Sequence, residues 1–259
     1  MKQGILIVNH GTVLSDVRER TIDEMALSIK DRFEDAEVDF AFTDADVRRA
    51  LREKGEKVQN VKAAMLSMKD AGVTNLYVIL TDMIDDAAGR QTGQDISSCA
   101  TLFSEVKATR PLLTRKEDVE ICARALHGAF GQDVGDDIFI VVHPGDEEDG
   151  NEELEDLENA LKTFFGKKAY VATIAGKKRM FHVLQELKNS GAEEGRVVLV
   201  PLEFMAGEDV ENVVSREFND LIDRLAFEGY DVVYDFKGLG EYEPIQRIYL
   251  KHLYEVMNI

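Results

Sequence analysis

Short apolar runs alternate with longer amphipathic segments along the whole chain. The runs GILIV, VDFAFT, NLYVIL, IFIVV, AYVATI, RVVLVPL and YDVVYDF predict strands, most of them buried. Between them, segments such as NEELEDLENALKTFFG place leucine and phenylalanine on one side of a helix. Strands that alternate with helices indicate parallel sheets with helices on both faces. The pattern therefore predicts an α/β protein.

The order of elements repeats once along the chain. Each half opens on an apolar strand that runs into a histidine, and strands and helices then alternate. We therefore predict two similar α/β lobes, residues 1–130 and 131–259. Within the first lobe, the stretch after NLYVIL predicts one irregular helix whose apolar residues include Ile96, Leu102, Phe103 and Val106.

Four polar residues follow the apolar strands. His10 ends GILIVNH and His143 ends IFIVVH, while Asp82 follows NLYVILT and Glu203 follows RVVLVPL. Open parallel sheets bind ligands beyond the carboxyl ends of their strands. We therefore expect these residues to lie at ligand-binding edges, facing a central cleft. The alternative is that the two histidines are polar caps on their strands and that Asp82 is a helix cap or a solvated loop acid.

Charge and cysteine content narrow the possible partners. The 259 residues carry a net charge of −19, which argues against binding to nucleic acid or to anionic membrane surfaces. The apolar runs have the length of strands, so we expect no membrane span. Cys99 and Cys122 fit no metal or redox spacing. We interpret them as reduced thiols in a cytoplasmic protein, and a homo-oligomer remains open.

Several segments resemble one family from end to end. They are AFTDADVRRAL, RPLLTRKEDVE, the histidine of VVHPG, PLEFMAGED and FKGLGEYEPIQRIYLKHL. Together they resemble the long, two-lobed anaerobic (class II) sirohydrochlorin cobalt chelatases. The resemblance implies two flavodoxin-like lobes facing a cleft. It also implies insertion of Co²⁺ into sirohydrochlorin, or of a divalent metal into a similar tetrapyrrole, in anaerobic cobalamin biosynthesis.

The resemblance carries over to individual residues unevenly. The first family histidine is His143, which the resemblance makes the metal ligand and proton acceptor. The family glutamate falls on Ala175, and two further histidine positions fall on Asp209 and Asp82. His10 lies in an HG[S/T] turn like the one that short, single-lobe relatives use for metal. His10, His143, Asp82 and Asp209 form a mixed set that suits Co²⁺, Ni²⁺, Fe²⁺ or Zn²⁺.

A basic segment supplies candidates for substrate binding. Lys177, Lys178 and Arg179 stand together at the start of a predicted helix, where cations oppose the helix dipole. We predict that they receive carboxylates of the tetrapyrrole, although ordinary surface cations are the alternative. Glu203 is a further candidate, as an extra ligand or a proton acceptor. No GxxxxGK[ST] motif is present, and we expect no organic cofactor.

The resemblance implies a cobaltochelatase of the lyase class. The different identities at Ala175, Asp209 and Asp82 leave a second interpretation open, in which the chain is a non-catalytic carrier of a tetrapyrrole or metal.

Overall fold

The computed structural model describes residues 1–145, 152–192, 194–207 and 213–259. Eight strands lie in that part of the chain: β1 Gln3–Asn9, β2 Glu37–Phe42, β3 Asn75–Leu80, β4 Glu105–Ala108, β5 Ile138–His143, β6 Ala169–Thr173, β7 Gly195–Pro201 and β8 Tyr230–Tyr234. The apolar runs predicted as strands correspond to seven of these, because fully buried strands are nearly continuous in apolar residues.

Helices separate consecutive strands. They are α1 Ser15–Arg18, α2 Glu24–Arg32, α3 Ala45–Glu53, α4 Val61–Asp70, α5 Ala87–Cys99, α6 Lys116–Val134, α7 Glu152–Phe165, α8 Met180–Asn189, α9 Val213–Phe227 and α10 Glu243–Met257. A π-helical turn, Glu19–Asp23, joins α1 to α2.

The region after α5 corrects one prediction. The predicted irregular helix with Val106 on its apolar face ends at Cys99 and is followed by a short 3₁₀ turn, Ala100–Leu102. Val106 instead lies in β4, an edge strand that pairs with β3. The prediction failed because β4 is short and only partly buried, so it lacks the apolar run that marked the other strands.

The strands form two four-stranded sheets, ordered β2-β1-β3-β4 and β6-β5-β7-β8, and every pairing is parallel. Both follow the flavodoxin-like order, in which the second strand lies on one side of the first and the third strand on the other. Helices pack on each sheet around a separate apolar core. The predicted α/β class with two similar lobes is confirmed.

Backbone packing divides the chain into two compact units. Unit 1 comprises Met1–Leu112 together with Gln246–Ile259, and unit 2 comprises Leu113–Ile245. The predicted boundary at residue 130 lies inside α6, which belongs to unit 2, while most of α10 returns to unit 1. The assignment of 1–130 and 131–259 as domains stays a prediction.

Candidate functional site

Each sheet has one point at which its connections leave in opposite directions. In unit 1 it lies between β1 and β3, and in unit 2 between β5 and β7. Ligands of open α/β sheets bind outside the carboxyl ends of the strands at such a point. His10 and Asp82 follow β1 and β3, whereas His143 ends β5 and Glu203 follows β7. The strand-end residues predicted from the sequence therefore lie at the expected edge of their own sheets.

In unit 1, His10 forms a hydrogen bond with Asp44, a residue that the sequence analysis did not single out. His10 Nε2 lies 3.0 Å from Asp44 Oδ2, and the His10 side chain is 57% exposed. Asp44 Oδ1 accepts the backbone N–H groups of Asp46 and Val47 at 2.6 and 2.8 Å, which caps α3. One carboxylate thus caps a helix and faces an accessible imidazole.

The charge of Asp44 is stabilised by these contacts. The hydrogen bond from His10 holds the pKa of the Asp44 carboxyl well below its ordinary value, and the two N–H groups of α3 act in the same direction against the cost of burial. Asp44 is therefore an anion at any physiological pH. An anionic oxygen beside an exposed imidazole nitrogen is a donor pair suited to a divalent metal ion.

Asp82 adds a carboxylate of a different character. Burial is the main cause that raises its pKa to about 6; the nearby charge of Asp86 contributes to the rise and His10 opposes it. Asp86 is fixed as the N-cap of α5, where its Oδ1 accepts the Gly89 N–H at 2.8 Å. Asp82 therefore lies within electrostatic reach of His10 and can change its protonation near neutral pH.

The turn that carries His10 is fixed from both sides. Asn9 Oδ1 accepts the Gly11 N–H at 2.8 Å, and Asn9 Nδ2 donates to Thr81 Oγ1 at 2.6 Å. Gly11 has φ +111°, and a Cβ placed on it would lie 2.7 Å from the Phe42 ring, so only glycine fits. These contacts hold the residue before His10 against the residue before Asp82.

His143 in unit 2 has a different environment. Its side chain is buried, with 6% of the residue exposed, and its Nδ1 accepts the Gly145 N–H at 3.0 Å. Burial lowers the pKa of His143 to about 4, so the ring is neutral at physiological pH.

Strand pairing shows which positions of the two units correspond. Asn9 and His143 each close the pairing of the first strand with the second, opposite Phe42 and Thr173. Each accepts an N–H from the glycine two residues later. The corresponding pairs, with the unit 1 residue first, are therefore Asn9/His143, His10/Pro144, Thr43/Ile174, Asp44/Ala175, Thr81/Leu202 and Asp82/Glu203.

This correspondence shows that the two histidines occupy different positions in their turns. His143 stands where unit 1 has Asn9, and the position of His10 is Pro144 in unit 2. Ala175 replaces the carboxylate of Asp44, so the imidazole–carboxylate pair is present in unit 1 and its counterpart positions in unit 2 carry no ligand groups. The two strand ends look alike in sequence, but His10 lies one residue further along its turn than His143 does.

The three cations of GKKRM differ in their contacts. Lys178 Nζ pairs with Glu158 at 2.6 Å and with Glu186 at 3.0 Å, and Arg179 donates to the backbone oxygens of Gly176 and Ala175. Lys177 is exposed and makes no ion pair within the described part of unit 2. Of the three, Lys177 is the cation best placed to meet a ligand.

A pocket of about 570 Å³ lies between α7, β6 and the loop before α8. Val171 and Thr173 of β6 line it, together with Lys177, Lys178 and several glutamates. Glu158 closes one wall, where its Oε2 accepts the Val171 N–H at 2.8 Å. Its size suits a small ligand or one arm of a larger one.

For the other predicted site residues, Glu203 and Asp209, the structure gives few or no contacts. The backbone oxygen of Glu203 accepts the Leu239 N–H at 2.7 Å, and its side chain is half-buried. Asp209 lies outside the described residues. Across residues 1–145, 152–192, 194–207 and 213–259, no group of three or more His, Cys, Asp or Glu side chains is arranged to hold a metal ion. In the same ranges, no helix is both long and apolar enough to cross a membrane.

Two flavodoxin-like sheets, with an imidazole–carboxylate pair beyond the ends of β1 and β2, define a two-lobed α/β protein. The sequence comparison makes this specific: residues 3–258 match the family described as cobalt chelatase (CbiK). The chain belongs to this family, which confirms the resemblance found in its motifs.

Known relatives agree with this assignment. Sirohydrochlorin cobaltochelatase CbiKC of Nitratidesulfovibrio vulgaris is 26% identical over 257 residues, which cover 97% of this chain and 89% of the relative. Among solved structures, SirB from Bacillus subtilis with Fe³⁺ matches with a TM-score of 0.69 and 15% identity, covering 99% of this chain and 96% of SirB. The sirohydrochlorin chelatase SirB from Bacillus subtilis subspecies spizizenii, in complex with cobalt, gives 0.68 and 13%, covering 100% and 96%. At these identities the two structures support the fold alone.

Proposed function

We propose that the chain is a sirohydrochlorin cobaltochelatase, which inserts Co²⁺ into sirohydrochlorin while the pyrrole N–H protons leave. The observation that carries the proposal is the His10–Asp44 pair beyond the carboxyl ends of β1 and β2, within electrostatic reach of Asp82, in a chain of the cobalt chelatase family. The curated relative whose name states this activity matches nearly the full chain.

His10 and Asp44 are the proposed ligands of the incoming Co²⁺. The imidazole nitrogen and Asp44 Oδ2 are joined by a hydrogen bond at 3.0 Å, and both suit a divalent transition metal that would displace the shared proton into solvent. A metal that must be passed to a macrocycle needs open coordination positions, as in catalytic metal sites generally. A pair of protein ligands satisfies this need better than a complete set, which would retain the ion.

Asp82 is the proposed acceptor of a pyrrole proton. A general base works best when its pKa lies near the working pH, and burial places that of Asp82 at about 6. It is then mostly ionised at neutral pH and still basic enough to take a proton. Its role as a metal ligand, predicted from the sequence, is the alternative within the same site.

Substrate carboxylates require a basic contact on this strongly acidic chain. Lys177 supports such a contact because it is exposed, whereas Lys178 is neutralised by Glu158 and Glu186. The roles predicted for Glu203 and Asp209 remain part of this proposal. So do a place in cobalamin biosynthesis, a cytoplasmic location, the lack of an organic cofactor and a chain that binds no nucleic acid, which the net charge of −19 supports.

Cobalt insertion tests the proposal directly. Sirohydrochlorin and Co²⁺ are mixed with the metal-free protein under anaerobic conditions, and insertion is followed by absorbance. His10→Ala should lower the rate by about 100-fold, since it removes a ligand. His182→Ala, which removes an exposed histidine of α8, is the matched control and should stay within about twofold of wild type. A wild-type chain that binds the macrocycle but gives only the uncatalysed rate would instead support the carrier.

A further inference from the structure

Tyr249 belongs to the segment FKGLGEYEPIQRIYLKHL and lies on α10, in the part of that helix that packs with unit 1. Its side chain is fully buried, and its hydroxyl donates to the backbone oxygen of Thr81 at 2.9 Å. Its ring also meets the ring of His252 edge-on, with 6.4 Å between the ring centroids. A buried tyrosine therefore contacts the peptide group that leads directly into Asp82.

The backbone on both sides of Asp82 is held by hydrogen bonds from outside β3. Because β3 ends at Leu80, the Thr81 oxygen takes its hydrogen bond from a side chain and not from a neighbouring strand. The backbone oxygen of Asp82 accepts the Leu112 N–H at 2.9 Å. Tyr249 thus fixes the peptide before Asp82, and the chain after β4 fixes the one that follows it.

The corresponding position of unit 2 carries no hydroxyl. Leu112 and Leu239 each donate a backbone N–H to the acidic residue two positions after β3 or β7, and α6 and α10 each begin four residues later. Counted from these leucines, Tyr249 of α10 corresponds to Cys122 of α6, which is a buried thiol. The tyrosine therefore belongs to the unit that carries the proposed proton acceptor, and a general need of the fold does not explain it.

The direction of the Asp82 carboxylate depends on this backbone. A proton acceptor works only within hydrogen-bond reach of the proton that it takes. The Asp82 side chain is half-buried and short, so a rotation of the Thr81–Asp82 peptide moves its carboxylate as well. A displacement of about 1 Å at a reacting group can cost on the order of 100-fold in rate. The bond from Tyr249 opposes such a displacement.

We propose that Tyr249 is a positioning residue for cobalt insertion, which holds the Thr81–Asp82 peptide so that the Asp82 carboxylate faces the pyrrole proton. This inference rests on the proposed function, because it requires Asp82 as the proton acceptor. Tyr249 touches neither the metal nor the macrocycle, since it is fully buried. Loss of its hydroxyl should therefore slow the step in which protons leave and should not weaken the binding of either reactant.

The test separates kcat from KM. Tyr249→Phe removes the hydroxyl and keeps the ring. Initial rates of insertion at varied Co²⁺ and sirohydrochlorin should give a kcat about tenfold below wild type, with both KM values within about twofold. Tyr230→Phe is the matched control and should keep kcat within about twofold, because Tyr230 is also buried and donates to a backbone oxygen, that of Ala192, at 2.7 Å in unit 2. Rates are compared at a temperature at which circular dichroism shows both variants folded.

A double-mutant cycle tests whether Tyr249 acts through Asp82. In an Asp82→Asn background, Tyr249→Phe should change the remaining rate by less than about twofold, because the group that it positions is already lost. With a wild-type chain that inserts cobalt, the inference alone is overturned by an unchanged kcat in Tyr249→Phe, by an equal loss in Tyr230→Phe, or by a full tenfold loss in the Asp82→Asn background. A wild-type chain that gives only the uncatalysed rate would instead overturn the proposed function, and this inference with it.

Discussion

Replacing Asp82 by asparagine should make the protein more stable and slower at cobalt insertion. Burial and the charge of Asp86 raise the pKa of Asp82 to about 6, from an ordinary value of 3.8. A folded-state pKa above the unfolded one favours the protonated form, so the stability that Asp82 contributes is complete below pH 3.8 and is lost as the pH rises through 6. The difference between 3.8 and about 6, at 1.36 kcal/mol for each unit, corresponds to about 3 kcal/mol.

Asparagine is neutral at every pH and does not incur this cost. Asp82→Asn should therefore unfold with a free energy about 3 kcal/mol above wild type at pH 8, and the gain should shrink towards zero near pH 4. Urea unfolding of the metal-free proteins at a series of pH values measures this. Asp46→Asn, at a carboxylate whose side chain is 78% exposed, is the control and should change stability by less than about 0.5 kcal/mol.

Two results would refute the reasoning about Asp82. One is a gain that does not depend on pH, which would indicate packing and not charge. The other is a loss of stability at pH 8, which would show that the ionised carboxylate is stabilised by its surroundings. The same variant should insert cobalt at least about 100-fold more slowly, because the amide accepts no proton. Gained stability with lost activity is the usual result of relieving a destabilised functional group.

Two further substitutions test the Asp44 contacts in unit 1 and the turn after β5 in unit 2. Asp44→Asn keeps an oxygen that caps α3 but loses the charge beside His10, so calorimetry should find about tenfold weaker Co²⁺ binding. The unfolding free energy should also fall at neutral pH, because His10 and the N–H groups of α3 stabilise the charged carboxylate. Unchanged Co²⁺ binding would contradict the ligand role. Gly145→Ala should lower the unfolding free energy by about 2 to 4 kcal/mol, because a Cβ would meet the Gly176 backbone at 2.7 Å. Gly55→Ala, with φ +86° but open space around it, should cost only about 1 kcal/mol, and equal losses would count against the close approach.

The fold was largely predictable because buried parallel strands have a strong sequence signature. Runs such as NLYVIL and IFIVV are apolar throughout, since helices cover both faces of their sheets. The edge strand Glu105–Ala108 lacks that signature because it is short and half-exposed, and its pairing with β3 depends on long-range contacts. The extent of the units was also less predictable, because the end of α10 packs with a unit that begins far away in sequence.

The candidate site was predictable only in part. The position after a buried strand suffices to select His10 and Asp82, because every parallel strand presents its carboxyl end at one edge. Asp44 gave no separate signal, since an aspartate before ADVRRAL is expected as a helix cap, and it is one. Its second oxygen faces His10, and that contact depends on how β1 and β2 pair. An aspartate that both caps a helix and contacts a histidine has the same sequence pattern as an aspartate that only caps a helix.

The two strand-end histidines show how one backbone turn supports different chemistry. In both units the last strand residue accepts the N–H of a glycine two positions later, so the turn itself needs only an acceptor there. Unit 1 satisfies the turn with Asn9 and leaves the next residue, His10, exposed beside Asp44. Unit 2 satisfies it with His143, and the next residue is a proline that offers no ligand. The turn uses Nδ1 of His143 as an acceptor, whereas Nε2 of His10 donates to Asp44 Oδ2. A shift of one residue relative to the turn therefore gives the two strand-end histidines different hydrogen-bond partners.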